Sequence, residues 1–157
     1  MVRVAKLDVA YVPTPKDIVR RMLHLAGLRP GEIMFDLGAG DGRVIIEAVR
    51  HFRGKAVGVE IDPERIGRIR ERLASTGTSA ELIEGDLLQV DLSTADVISI
   101  YLSDSVNAQL APKLKRELKK GTRVVSLDYP LPGWTATRES NVNTSGIPRK
   151  LYLYENK

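Results

Sequence analysis

Cysteine is absent from the 157 residues, which excludes disulfides, thiolate metal sites and any cysteine nucleophile. Histidine occurs only at His24 and His51, both inside helical patterns, so no histidine-rich metal site is expected. Aromatic residues make up 5% of the chain, which is thin for a surface that stacks bases. No apolar run nears the ~20 residues of a membrane span, and the N-terminus lacks the apolar centre of a signal peptide. Neither a repeat nor a low-complexity tract is present. These absences lead us to expect a soluble, cytoplasmic protein with one core. Scarce Asn and Gln beside many Arg and Glu would suit a thermophile. What is there is otherwise ordinary: 43% apolar and 28% charged residues, with a net charge of +4 that leans slightly toward acidic partners.

The chain is organised around Ile33-Met34-Phe35-Asp36-Leu37-Gly38-Ala39-Gly40-Asp41-Gly42-Arg43. A short apolar run stops at an acid and three glycines, and a period of about 3.6 begins at Val44. The pattern predicts a strand, a tight turn and a helix N-terminus whose free N–H groups face a ligand. A Cβ at Gly38 or Gly40 would occupy the space of that ligand. A dinucleotide fingerprint needs a sixth-place glycine, where Arg43 stands, so the NAD reading is weakened. Asp36 and Asp41 also lie where a pyrophosphate would sit, and carboxylates repel phosphate. S-adenosylmethionine carries an ammonium and a sulfonium and no phosphate. The acid-Leu-Gly-x-Gly-x-Gly turn resembles motif I of the class I (seven-strand) methyltransferases. A plain strand-to-helix connection remains the alternative.

In chain order, residues 1–10 alternate loosely as an extended arm. Thr14, Pro15 and Asp17 suit an N-cap, a first helical position and a capping-box acid for a helix over 15–26. A simple capped helix start explains Tyr11 to Pro15 equally well. After the glycine turn we expect a helix over 44–52, a strand over 56–61 with the acid Glu60 at its close, and a helix over 63–75 capped by Asp62 and Pro63. Because Asp62 already caps that helix, Glu60 is available to take ribose hydroxyls. The helix's outward arginines read as a solvated face, with Glu64 and Arg68 a helical pair. A third strand over 80–84 precedes Gly85-Asp86-Leu87, and a fourth covers 95–102. Ser103 and Asp104 then begin a helix reaching Lys119, whose basic end complements the helix dipole, with nucleic-acid binding as the alternative. The fifth strand covers 122–128. Pro130-Leu131-Pro132-Gly133 leaves no room for a further crossover helix, and strands over 134–139 and 149–155 flank a flexible loop over 141–146. The expected architecture is α/β: a Rossmann-like doubly wound sheet from five βα-like units and a closing hairpin. It is mostly parallel, with one antiparallel strand near the C-terminus.

A closer resemblance rests on Tyr11-Val12-Pro13-Thr14-Pro15, Asp36-Leu37-Gly38-Ala39-Gly40-Asp41-Gly42-Arg43, Val57-Gly58-Val59-Glu60, Ser105-Val106-Asn107, and Gly121-Thr122-Arg123-Val124-Val125-Ser126 with Gly133-Trp134. In this order they resemble the seven-strand protein lysine methyltransferases, both the archaeal broad-specificity enzyme and the mitochondrial enzymes acting on inner-membrane carriers and ATP synthase. The likeness runs from Tyr11 to Tyr154. It departs at Leu102-Ser103-Asp104-Ser105, which bears on substrate preference and not on the methyl donor.

The resemblance implies S-adenosylmethionine as cofactor, held by Asp36, Gly38, Gly40, Glu60, Ile61, Asp86, Leu87 and Tyr101, with Thr14 at the methionine carboxylate. It implies a lysine channel of Tyr11, Pro13, Tyr101, Leu102, Ser103 and Trp134, with Tyr11 and Ser103 as the catalytic candidates and no metal. It further implies protein substrates with exposed lysines. Small size and a pre-formed cleft favour a monomer with broad substrate choice, the missing apolar run argues against membrane insertion, and the chain is expected to divide into an arm with active-site loop (1–14) and a methyltransferase domain (15–157). One rival is an RNA or DNA methyltransferase. Amino-directed enzymes of that kind carry an Asn/Asp-Pro-Pro-aromatic segment after the fourth strand, and Tyr101-Leu102-Ser103-Asp104 lacks both prolines. A covalent pyrimidine-C5 route is closed by the missing cysteine. A second rival is a nucleotide-binding protein without catalysis.

Overall fold

The computed structural model describes residues 12–157; the expected arm over 1–10 and Tyr11 lie outside the described residues. The elements run α1 (Lys16–Leu25), β1 (Ile33–Leu37), α2 (Arg43–Arg50), β2 (Lys55–Glu60), α3 (Pro63–Thr76), β3 (Glu81–Glu84), β4 (Val97–Ile100), α4 (Asp104–Glu117), β5 (Arg123–Leu127), β6 (Arg138–Thr144) and β7 (Ile147–Glu155). Seven strands form one sheet in the order β3-β2-β1-β4-β5-β7-β6. Pairs from β3 across to β5 are parallel, while β5–β7 and β7–β6 are antiparallel. Strand β7 therefore runs against all the others, as the sequence predicts.

Side chains alternate across a strand, and here both faces are covered, so the strands read as continuous apolar runs. Met34, Ala56, Val97 and Val125 pack on one face with α1 and α2. Phe35, Val57, Ile98 and Val124 pack on the other with α4. The chain moves from β1 outward through β2 to β3, then returns to β4 beside β1 and moves the other way. That reversal opens a crevice at the carboxyl ends of β1 and β4, where open α/β sheets receive ligands.

Several local expectations are corrected. Thr14 does not cap α1: Pro15 occupies the N-cap without a side-chain bond, the Thr14 carbonyl accepts from Arg43 Nη1 at 3.0 Å, and the Asp17 carboxylate accepts from Thr144 Oγ1 at 2.6 Å. Of the five expected βα-like units three carry a crossover helix: the path from β3 to β4 is built from turns, and none follows β5, as Pro130-Leu131-Pro132-Gly133 predicts. Helix α4 stops at Glu117, since Leu118 is extended. The basic residues around that end are mostly paired, Lys113 with Glu117 at 2.6 Å and Lys119 with Asp96 at 2.8 Å. The expected loop over 141–146 is largely strand. Ser145 and Gly146, both at positive φ, make a two-residue turn of the kind that matches hairpin twist.

Candidate functional site

Glycines 38, 40 and 42 all have positive φ, which L side chains avoid, so the chain can reverse sharply between β1 and α2. A Cβ at position 38 would stand 3.2 Å from Leu102 Cδ2, closing the space between the turn and the end of β4. Several of the turn's N–H groups are engaged within the protein. Gly38 and Ala39 donate to the Val59 carbonyl, and Gly42 donates to that of Ala39. Gly40 donates to Glu60 Oε1 at 2.9 Å and Arg43 to Asp41 Oδ1 at 3.1 Å. Two of these donors, Gly40 and Arg43, are taken by carboxylates, so negative charge already stands beside the turn and disfavours a phosphate there.

Beside it lies a cleft of about 270 Å³ lined from the ends of β1, β2, β3 and β4. Of the residues predicted from sequence, it gathers Pro13, Thr14, Asp36, Gly38, Gly40, Glu60, Ile61, Leu87, Tyr101 and Leu102. Asp36 is 6% exposed and accepts from Ser99 Oγ at 2.9 Å. Burial pushes its carboxyl up to about 7, and the nearby Glu60 and Asp41 charges add to the rise against the Ser99 bond. Glu60 is 3% exposed; its Oε2 accepts from the Ile61 and Asp62 amides at 3.1 and 3.0 Å. Asp62 caps α3 by accepting from Glu64 N at 3.0 Å, so Glu60 lines the cleft without serving as that cap.

The remaining predicted residues are placed differently. Asp86 is buried at the cleft's margin, where Oδ1 accepts from Leu88 N at 2.9 Å and shapes the turn after β3. Ser103 is the N-cap of α4, its hydroxyl accepting from Val106 N at 3.2 Å. Trp134 does not reach the cleft. Its Nε1 donates to the Ala111 carbonyl at 3.2 Å and its ring meets Tyr154 edge-on, so it packs against α4 and β7. Asp41 lines the cleft but does not act as a bare carboxylate. Burial raises it, yet bonds from the Arg43 side chain and backbone, with Arg72 at 3.3 Å, hold it below the usual range. Asp36 and Glu60 are thus the deeply buried acids of the cleft, and Glu60 Oε2 also has Arg65 Nη1 at 3.7 Å. Sequence reasoning missed Arg43 and Arg65 among the lining residues. Arg43 at the failed sixth glycine place was the available signal.

Two buried carboxylates, and a glycine turn whose Gly40 amide is taken by one of them, suit a cationic, phosphate-free adenosine compound. A family model described as ANTKMT methyltransferase domain matches residues 36–138, which include the glycine turn and Glu60. The chain belongs to this methyltransferase family. A Saccharolobus islandicus protein named protein-lysine N-methyltransferase is 43% identical over 93% of this chain and 92% of its own length. The mouse adenine nucleotide translocase lysine N-methyltransferase is 38% identical over 82% of this chain and 57% of its own length. A crystal structure described as an RNA methyltransferase from Salinibacter ruber, in complex with S-adenosyl-L-homocysteine, superposes with a TM-score of 0.86. It is 39% identical and covers 92% of this chain and 94% of its own. This methyltransferase therefore uses S-adenosylmethionine. Among its described residues no cluster of three metal-ligating side chains occurs, and no helix is long and apolar enough to cross a membrane.

Proposed function

We propose that this methyltransferase modifies the ε-amino group of lysine in proteins and accepts a broad range of substrates. The observation that carries the reading is the 43% identity to the Saccharolobus protein-lysine N-methyltransferase along almost the whole of both chains. S-adenosylmethionine supplies an electrophilic methyl on a sulfonium. We assign its amino-acid end to Asp36 and Thr14, its ribose to Glu60 and its adenine to Asp86, Ile61 and Leu87, with Gly38 and Gly40 allowing close approach. Tyr11, Pro13, Tyr101 and Leu102 form the acceptor side. Ser103 contributes there through its backbone position, since its hydroxyl caps α4.

The acceptor lysine must be neutral to attack. Deprotonating an amine of pKa about 10.4 at pH 7 costs roughly 4.6 kcal/mol. An apolar channel that faces a positive charge disfavours the ammonium and lowers this cost. What remains is collinear positioning of nitrogen, methyl and sulfur, which a rigid sheet edge supplies. Residues 1–14 serve as the arm and active-site loop and 15–157 as the catalytic domain, acting as a cytoplasmic monomer.

The Salinibacter relative described as an RNA methyltransferase favours a second reading, RNA as acceptor. The test offers labelled S-adenosylmethionine with a mixture of basic proteins and RNA. Label on lysine side chains in peptide mass spectrometry is expected, whereas label confined to RNA overturns the reading. Sedimentation of the same preparation reads the oligomeric state.

A further inference from the structure

Tyr101 is the first residue after β4 and lines the cleft. Its phenol oxygen accepts from Arg149 Nη2 at 2.8 Å. Arg149 lies on β7, and its guanidinium carbon also sits 5.3 Å from the Tyr101 ring centroid. The same guanidinium is gripped by Asp128, with Nε and Nη2 at 2.8 and 2.7 Å from Oδ2. A guanidinium has donors only, so the Tyr101 oxygen must accept and the phenol proton points elsewhere.

Asp128 stands just past β5 with φ +65. The Tyr129 amide donates to the Leu127 carbonyl across it at 2.8 Å. A bond spanning two residues around a left-handed centre is the rarer, strained γ-turn. Such strain persists only where the surroundings over-determine it. Here Asp128 N donates to the Lys150 carbonyl at 2.7 Å, and Asp128 Oδ1 accepts from Lys150 N at 3.2 Å. Asn107, fully buried, donates to the Tyr129 and Pro130 carbonyls at 3.0 and 3.1 Å. Tyr129, held this way, stacks on Tyr101 with ring centroids 6.4 Å apart and planes 21° apart.

We propose that Asp128 and Arg149 are positioning residues for the acceptor, fixing the Tyr101 phenol and its Tyr129 backing as a rigid aromatic wall along which the unbranched lysine stem lies. This rests on the lysine reading above. The strained turn aims the carboxylate, the carboxylate sets the guanidinium, and the guanidinium fixes the ring. Lysine at 149 is one bond shorter than the path to Nη2, which alone meets both Asp128 and the Tyr101 oxygen, and it has no planar group to lie on the ring.

The test is a kinetic double-mutant cycle of Arg149→Met and Tyr101→Phe, with Arg149→Lys and Asp128→Gly made singly. Wild type is assayed first on lysine and on RNA, so failure of the lysine reading shows before any variant is made. Arg149→Met is expected to lower kcat/KM for the acceptor by about tenfold or more, as small misplacements do. Donor affinity by titration calorimetry should move less than about twofold, which also reports that the variant is folded. Arg149→Lys should not restore activity. In the Tyr101→Phe background, Arg149→Met should cost less than about threefold further. Asp128→Gly relieves the left-handed backbone, so its melting temperature should hold while kcat/KM falls. The proposal is overturned if Arg149→Met has its full effect without the phenol, if donor affinity falls in step, or if Asp128→Gly stays fully active.

Discussion

Asp36 is the residue at which folding and donor binding pull in opposite directions. Burial raises its carboxyl to about 7, so the free protein readily holds it neutral, while a cationic donor favours the ionised form. Donor affinity should therefore rise as pH is taken from about 6 to 8, with a proton released on binding at the lower end. Calorimetry in buffers of different ionisation enthalpy reads both effects. Asp36→Asn should weaken the donor by about tenfold or more and flatten the pH profile. The sign for stability is the reverse. A raised folded pKa contributes stability below the unfolded value near 3.8, and that contribution is lost as pH rises through about 7. Asp36 and Glu60 were legible in the sequence because an acid closing an apolar run lands at the ligand edge of a parallel sheet. Asp41 was misjudged because Arg43, two residues on, turns back to bond its carboxylate, with Arg72 adding a second charge from 31 residues away.

Between elements, one clamp joins α1 to β5. Arg123 meets Glu32 with two bonds, Nη1 to Oε2 at 3.0 Å and Nη2 to Oε1 at 2.7 Å. Its Nε and Nη2 also donate to the Ala26 and Gly27 carbonyls at 2.9 Å each, satisfying the exit of α1. The bond from Arg123 holds the Glu32 carboxyl at about 2 against its partial burial, with Arg29 assisting. A lowered folded pKa contributes stability above the unfolded value near 4.5, lost as pH falls toward 2. Glu32→Gln should therefore cost about 1–3 kcal/mol at pH 7. Its urea unfolding curve should converge with that of wild type near pH 2. Element types were mostly readable, since short continuous apolar runs give way to a period near 3.6 where the strands end. The helix starts and the hairpin were less so. Thr14 carries the chemistry of a cap, but Arg43 recruits its carbonyl from the glycine turn. Asn141 and Asn143 resemble loop residues because β6 is an outer strand with exposed alternate positions. Trp134 beside Gly133 suggested a channel, yet its indole found α4.

At the scale of the molecule, β7 lies inside the sheet, between β5 and β6, and carries the buried Leu151 and Tyr154. Tyr154 Oη accepts from the Leu131 amide at 2.9 Å, so the same strand also fastens the segment following β5. A chain ended at Gly146 should show no cooperative thermal transition by circular dichroism, because it exposes β5 and leaves β6 without a partner. The same placement sets the timing of biosynthesis. While a ribosome is still adding residues before Ile147, the nascent chain holds an open, apolar sheet margin at β5. Assembly of the reaction centre then waits on Arg149 as well, which arrives with that late strand.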